Sequence, residues 1–93
     1  MDTNLQEEIG KVAEALREAG ACEVYLFGSA ARGKLREDSD IDMAVSGLPP
    51  KSFFHAMSKA GRILNRSLDL IDLDENNPFT RYLKEEGELE RIA

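Results

Sequence analysis

Two aspartates near the middle of the chain are spaced as metal ligands. Asp40 and Asp42 lie two residues apart at the start of a short apolar segment, Ile41 to Val45, that is predicted to be a β-strand. Side chains alternate between the two faces of a strand, so both carboxylates point to the same side. Two close carboxylates repel each other unless a divalent cation neutralises them, and Mg²⁺ prefers such oxygen ligands. Because D-x-D pairs also occur in many surface loops, the pair needs support from other residues.

Two other places in the sequence could give that support. Gly28 and Ser29 follow a predicted strand, Glu23 to Phe27, where a tight turn would let the backbone approach a phosphate and a hydroxyl bond to it. An ordinary turn has the same composition. Asp69 lies between Leu68 and Leu70 in the predicted strand Leu68 to Leu73, where a buried charge needs compensation that a metal would supply. The alternative is that Asp69 or Asp72 marks an exposed end of that strand.

The segment from Gly28 to Leu35 imitates a phosphate-binding P-loop, in which G-x-x-x-x-G-K is followed by Ser or Thr. Leu35 stands where that hydroxyl ligand of magnesium is required. A P-loop also needs a helix whose N-terminus faces the phosphates, whereas residues 36–40 have no apolar stripe and lead into a strand. The P-loop interpretation is therefore rejected.

Hydrophobic periodicity predicts the elements that position these residues. The predicted helices lie between Asn4 and Gly20, from Ser52 to Leu64 and from Pro78 to Glu86; the predicted strands run from Glu23 to Phe27, Ile41 to Val45 and Leu68 to Leu73. Residues 29–39 are predicted to be a loop with room for one helical turn. The sequence thus predicts an α/β (α+β) protein in α-β-α-β-α order, counting the helical turn in residues 29–39. The last strand, the last helix and a tail that Leu89 and Ile92 anchor follow this order.

Composition and charge exclude several classes of function. The chain has 93 residues, which fits one domain over residues 1–93. It is 42% hydrophobic and 32% charged, and no apolar run approaches the roughly 18 residues that a membrane helix needs. The polar, acidic N-terminal residues do not resemble a secretory signal, so a cytoplasmic location is expected. A net charge of −6 disfavours binding to long nucleic acid.

One segment departs from this acidic balance. Residues 51–66 carry Lys51, Lys59, Arg62 and Arg66 and no acidic residue. A solvated helix face is the simpler interpretation. The functional alternative is a basic surface for an anionic ligand or an acidic partner.

The residues from Gly28 to Val45 resemble a motif of the minimal nucleotidyltransferases, members of the DNA polymerase beta superfamily. The stretch GSAARGKLREDSDIDMAV matches the pattern G-S-x-A-R-G-x-x-x-x-x-S-D-I-D-L-x-V, with Met43 in place of the usual Leu. The segment from Leu68 to Ile71 resembles the later strand of that family, which carries its third carboxylate. The resemblance implies a nucleotidyltransferase fold, in which a small mixed sheet of three strands is flanked by helices.

The same resemblance implies a mechanism. Asp40 and Asp42 would bind two Mg²⁺ ions, and Asp69 would help to hold one of them beside the attacking hydroxyl. Gly28 and Ser29 would bind the β- and γ-phosphates of a nucleoside triphosphate. ATP is the expected donor.

Two further residues of the motif have open roles. Arg32 could pair with a phosphate, or with an acidic neighbour such as Asp38 that would hold the loop in place. Ser39 could contact the nucleotide, or it could cap the turn before the strand. Both are retained as candidate nucleotide-binding residues.

Chains of this size resemble the antitoxins of HEPN–MNT toxin–antitoxin pairs. This implies transfer of AMP to a hydroxyl, often that of a tyrosine, on a HEPN-type toxin partner. One rival hypothesis is a binding module that neutralises its partner by occlusion and keeps the motif for nucleotide sensing or for the fold. Another is nucleotidyl transfer to a small molecule such as an aminoglycoside. The acceptor, the base preference and a possible oligomeric state are left open.

Overall fold

The computed structural model of the protein describes residues 3–33, 40–64, 66–86 and 88–93. Within these residues, four helices alternate with four strands. The helices are α1 (Thr3–Glu18), α2 (Gly28–Ala31), α3 (Pro50–Leu64) and α4 (Pro78–Glu85). The strands are β1 (Glu23–Leu26), β2 (Ile41–Ser46), β3 (Leu68–Asp72) and β4 (Glu90–Arg91).

The four strands form one mixed sheet in the order β3-β2-β1-β4. β1 is antiparallel to both of its neighbours, β2 and β4. β2 and β3 are parallel, because α3 crosses over between them and returns the chain to the same end of the sheet. β2 is thus a central strand, and four of its residues, Ile41, Met43, Ala44 and Val45, are fully buried.

Helices α1 and α3 pack on each other and cover one face of the sheet. The apolar stripe of α1 includes Ile9, Val12 and Leu16, which are buried in the larger of two hydrophobic clusters. α1 ends at Glu18. Two residues later, Gly20 has a φ of 123° that reverses the chain, and the Ala21 amide donates to the Leu16 carbonyl oxygen.

Helix α4 lies on the opposite face of the sheet. Leu83 packs there with Phe27, Ala44 and Leu73 in a second, smaller cluster. The helix begins with a capping box, in which the side chain of Asn77 accepts from the Thr80 amide and Thr80 Oγ1 accepts from the Asn77 amide. The sheet is therefore covered on both faces, as a buried parallel strand pair requires.

The predicted fold class is confirmed, but the sheet has four strands where three were predicted. The additional strand, β4, has only two residues, Glu90 and Arg91, and both are exposed. Such a short, charged segment has no alternating apolar pattern that a sequence could reveal. Backbone hydrogen bonds fix it: the Ile92 amide donates to the Val24 carbonyl oxygen, and the Val24 amide donates to that of Ala93.

A side-chain network also connects three of the strands. Ser46 Oγ of β2 donates to Glu23 Oε1 of β1 at 2.9 Å, and Arg91 of β4 pairs with Glu23 Oε2 at 3.2 Å. The hydrogen bond from Ser46 is the main reason why the pKa of Glu23 is lowered. None of the helices in the described part of the chain is long and apolar enough to cross a membrane.

Candidate active site

The parallel pairing of β2 with β3 brings two of the predicted carboxylates side by side. The Cα of Asp42 pairs with the Cα of Asp69, so the two side chains leave the sheet on the same face. That face is the one covered by α4, because Asp42 alternates with Met43, which belongs to the larger cluster on the other side. The sequence had placed both residues in strands, and the register now makes them neighbours.

Asp42 is in an electrostatically unfavourable position. Burial of the carboxylate raises the pKa of Asp42 above its ordinary value, and the charges of Asp69 and Asp40 raise it further. A hydrogen bond between the Asp42 and Asp69 carboxyl groups acts in the same direction, since it favours the protonated form. The side chain of Asp42 is therefore one that a cation would stabilise.

The negative charge of Asp40 also acts on this pair, because it raises the pKa of Asp42. Asp40 directly precedes β2 and is exposed, as Asp69 is, whereas Asp42 is half-buried. Among the described residues, no three acidic, histidine or cysteine side chains form a group positioned to hold one metal ion. Binding of a common ion by Asp40, Asp42 and Asp69 thus stays a prediction.

Gly28 lies directly against Asp42. Its φ is 63°, in the left-handed region, and a Cβ added to it would stand 2.6 Å from Asp42 Oδ2. The amide of Phe27 donates to the Asp42 carbonyl oxygen at 3.1 Å, which fixes the end of β1 beside the start of β2. Glycine is required here both by the backbone conformation and by the close approach of the carboxylate.

The other three motif residues have different outcomes. Ser29 is the second residue of α2, the single helical turn that follows Gly28. Arg32 is exposed at the end of this turn, and its Nη2 lies 3.4 Å from Glu88 Oε2. Ser39 lies outside the described residues. The nucleotide-binding roles of Gly28, Ser29, Arg32 and Ser39 remain predictions.

Sequence reasoning missed two features around the site. Glu88, the observed partner of Arg32, is 56 residues away along the chain, and no local pattern relates the two. Phe79 of α4 is partly exposed and packs its ring edge-on against Phe27, with 6.0 Å between the ring centres. A cavity of about 470 Å³ lies beside Phe79 and along β3, bordered by Ile71, two residues beyond Asp69.

Comparisons with known proteins agree with this geometry. The family described as "Polymerase beta, Nucleotidyltransferase" matches residues 7–89. A search of curated proteins finds no match. Among solved structures, a minimal nucleotidyltransferase is 27% identical, with a TM-score of 0.77 over 100% of this chain and 96% of that chain.

Two structures from toxin–antitoxin systems are also similar. A toxin–antitoxin structure with AMP-PNP is 25% identical, with a TM-score of 0.69 over 92% of this chain and 70% of that chain. A complex of tri-AMPylated Shewanella oneidensis HEPN toxin with MNT antitoxin is 23% identical, with a TM-score of 0.67 over 94% and 70%. At that identity the second likeness concerns the fold alone. The family match spans most of the chain and includes both strands of the carboxylate pair, so the chain belongs to the polymerase beta nucleotidyltransferase family.

Proposed function

We propose that the protein transfers AMP from ATP to a hydroxyl group on a HEPN-type toxin partner and thereby acts as an antitoxin. The observation that carries this proposal is the pairing of Asp42 with Asp69 directly against Gly28. Similarity to a toxin–antitoxin structure that contains AMP-PNP supports ATP as the donor and a protein as the acceptor.

The residues present fit Mg²⁺. The raised pKa of Asp42, which burial and the neighbouring charges of Asp69 and Asp40 cause, means that the anionic pair is unfavourable without a cation. Carboxylate oxygens are also the ligands that Mg²⁺ prefers. In the proposed site, Asp40, Asp42 and Asp69 hold the metal, with two ions expected.

When bound, Mg²⁺ activates the acceptor hydroxyl and neutralises charge on the triphosphate. The chain's own residues orient the reactants. Gly28, which has no side chain, lets the backbone lie directly against the Asp42 carboxylate, where we expect it to approach a phosphate. Ser29 offers a hydroxyl at the next position. Arg32 would have to exchange its exposed contact with Glu88 for a phosphate, which costs little because exposed ion pairs are weak.

The proposal is tested by incubating the protein with ATP, Mg²⁺ and a candidate HEPN-type toxin, a helical protein to be sought among those encoded beside its gene, followed by intact-mass analysis. An AMP adduct on the helical protein is the expected result. Asp40→Asn combined with Asp42→Asn should abolish the adduct. Glu85→Gln combined with Glu86→Gln, which removes the same charge from exposed positions at the C-terminal end of α4, should not.

Two outcomes would contradict the proposal. If the Asn variant forms no adduct but still neutralises the partner as fully as the unchanged protein, the function is neutralisation by occlusion. If the isolated protein turns over ATP with a small hydroxyl compound and leaves the helical protein unmodified, the acceptor is a small molecule.

A further inference from the structure

An apolar groove runs between α1 and β4, on the sheet face opposite to the carboxylate pair. Its volume is about 740 Å³, larger than that of the cavity beside β3. The floor consists of apolar side chains from the larger core cluster, Ile9, Ala13 and Leu26, with Ile92 at the β4 side. We call this feature the α1–β4 groove.

Gly10 opens the wall of this groove. It lies in the interior of α1, where glycine is among the least favourable residues for a helix. Nothing lies within 4 Å of a Cβ added at this position, so no packing contact inside the chain excludes a side chain. Packing inside the chain therefore does not require a glycine at position 10. Close approach of another molecule to the helix at this position would explain it.

The rim of the groove is acidic. Glu14, Glu18 and Glu90 line it together with a single basic residue, Arg17, and all four are exposed. The whole chain carries a net charge of −6, so its overall electrostatic field attracts a basic ligand, as the acidic rim does. The acidic rim also repels the phosphates of nucleic acid.

We propose that the α1–β4 groove is a docking site for a basic amphipathic helix of a partner protein. The lining residues on α1 extend from Gln6 to Glu18, about 18 Å along the helix axis, which accommodates about three turns of a second helix. An apolar stripe of that helix fills the floor, and its Lys or Arg residues face the acidic rim. The inference does not depend on the proposed transfer reaction.

Two synthetic helical peptides of about four turns serve as probes. Both carry the same leucine stripe; the polar positions are lysines in one and glutamates in the other. Fluorescence anisotropy should show that the lysine peptide binds the full chain about ten-fold or more tightly than the glutamate peptide. Its affinity should fall as salt is added, because the rim charges are exposed.

Gly10→Gln tests whether binding occurs in the groove. The polar side chain fills the opening while favouring the helix, so the affinity for the lysine peptide should fall about ten-fold. Gly61→Gln is the matched control, because Gly61 is an α3 glycine with equally open surroundings. Thermal stabilisation by Mg²⁺ should be the same in both variants, which separates this site from the proposed active site.

Charge reversal tests the rim. Glu14→Lys combined with Glu18→Lys should weaken binding of the lysine peptide, whereas Glu85→Lys combined with Glu86→Lys on α4 should have a much smaller effect. Three results would overturn the proposal: equal binding of the two peptides, binding that Gly10→Gln leaves unchanged, or a dimer in sedimentation that Gly10→Gln abolishes. In the last case the occupant of the groove is a second copy of the chain.

Discussion

The backbone of Gly28 lies directly against the side chain of Asp42. The residue at each of these two positions therefore limits which residue fits at the other. Gly28 supplies a left-handed backbone conformation and the space that Asp42 Oδ2 occupies. Asp42 in turn carries a charge that its half-buried position and the neighbouring Asp69 disfavour. The candidate site thus combines a left-handed backbone conformation with a disfavoured charge, and such locally unfavourable features are typical of functional sites.

Gly28→Ala should reduce both stability and activity. The left-handed backbone costs an alanine about 1–2 kcal/mol, and the new Cβ must displace the Asp42 carboxylate. A displacement of about 1 Å can lower the transfer rate by about 100-fold. Gly33→Ala is the control, since its φ is 68° and a Cβ there meets nothing within 4 Å. Urea unfolding should show a loss in both variants, and transfer assays a loss in Gly28→Ala alone; equal activity in the two would contradict the role of this contact.

Asp42→Asn should remove a pH dependence of stability. Burial first, and then the charges of Asp69 and Asp40, raise the pKa of Asp42 in the folded protein. The folded state thus binds this proton more tightly than the unfolded state, so stability falls as pH rises from the ordinary carboxyl pKa through the raised one. The full penalty is present above that window. Melting curves in a metal chelator should show this fall in the unchanged protein and a smaller fall in Asp42→Asn.

Above this pH window and without metal, Asp42→Asn should be more stable than the unchanged protein, because it lacks the disfavoured charge. Addition of Mg²⁺ should make the unchanged protein the more stable of the two. At a concentration 100 times its dissociation constant, a ligand that binds only the folded state adds about 2.7 kcal/mol. The unchanged protein should gain this amount, and Asp42→Asn should gain much less. The same gain in both would show that Mg²⁺ binds elsewhere.

At the scale of single elements, the N-terminus of α4 is closed by a capping box. Thr80 is buried, and its hydroxyl donates to the Glu75 carbonyl oxygen at 2.6 Å while also closing the capping box with Asn77. This helix packs on the sheet face that carries Asp42 and Asp69.

Asn77→Ala should destabilise the protein by about 1 kcal/mol, because the Thr80 amide loses its acceptor. Asn76→Ala, at the adjacent exposed position, should change the free energy of unfolding by less than about 0.5 kcal/mol. Chemical denaturation of the two variants measures the difference. A similar small effect in both would mean that the cap does not stabilise α4.

At the scale of the whole molecule, a single sheet separates two apolar clusters of unequal size. The larger lies under α1 and α3, and the smaller under α4 beside the carboxylate pair. The larger cluster therefore provides most of the stability, while the face with the smaller cluster is free to carry polar residues. The α1–β4 groove is formed on the well-packed side, away from the candidate active site.

Leu16→Ala should cost about 2–5 kcal/mol, since Leu16 is fully buried in the larger cluster and the fold cannot fill the space that it leaves. Phe54→Ser should have little effect, because 74% of Phe54 is exposed. Thermal unfolding followed by circular dichroism distinguishes the two. If Phe54→Ser were as destabilising as Leu16→Ala, the exposed face of α3 would be part of an interface in solution.

The sequence by itself determined most of the helices and strands and the residue types from which a site is proposed. The apolar stripe of α1, the alternation in β2 and the D-x-D spacing are local patterns, and local patterns reflect the fixed periods of helix and strand. Gly28, Asp40 and Asp42 could therefore be proposed as site residues without a structure, and the fold class followed from the same residues together with a family resemblance. The Met43 substitution did not obscure it.

Only the tertiary structure decided which distant residues meet. It set the register that pairs Asp42 with Asp69, gave Arg32 the partner Glu88, and added β4 through backbone bonds. It also left a groove beside Gly10. These contacts join residues far apart in the chain, and their partners are selected by the packing of whole elements, which no periodic pattern in the sequence encodes.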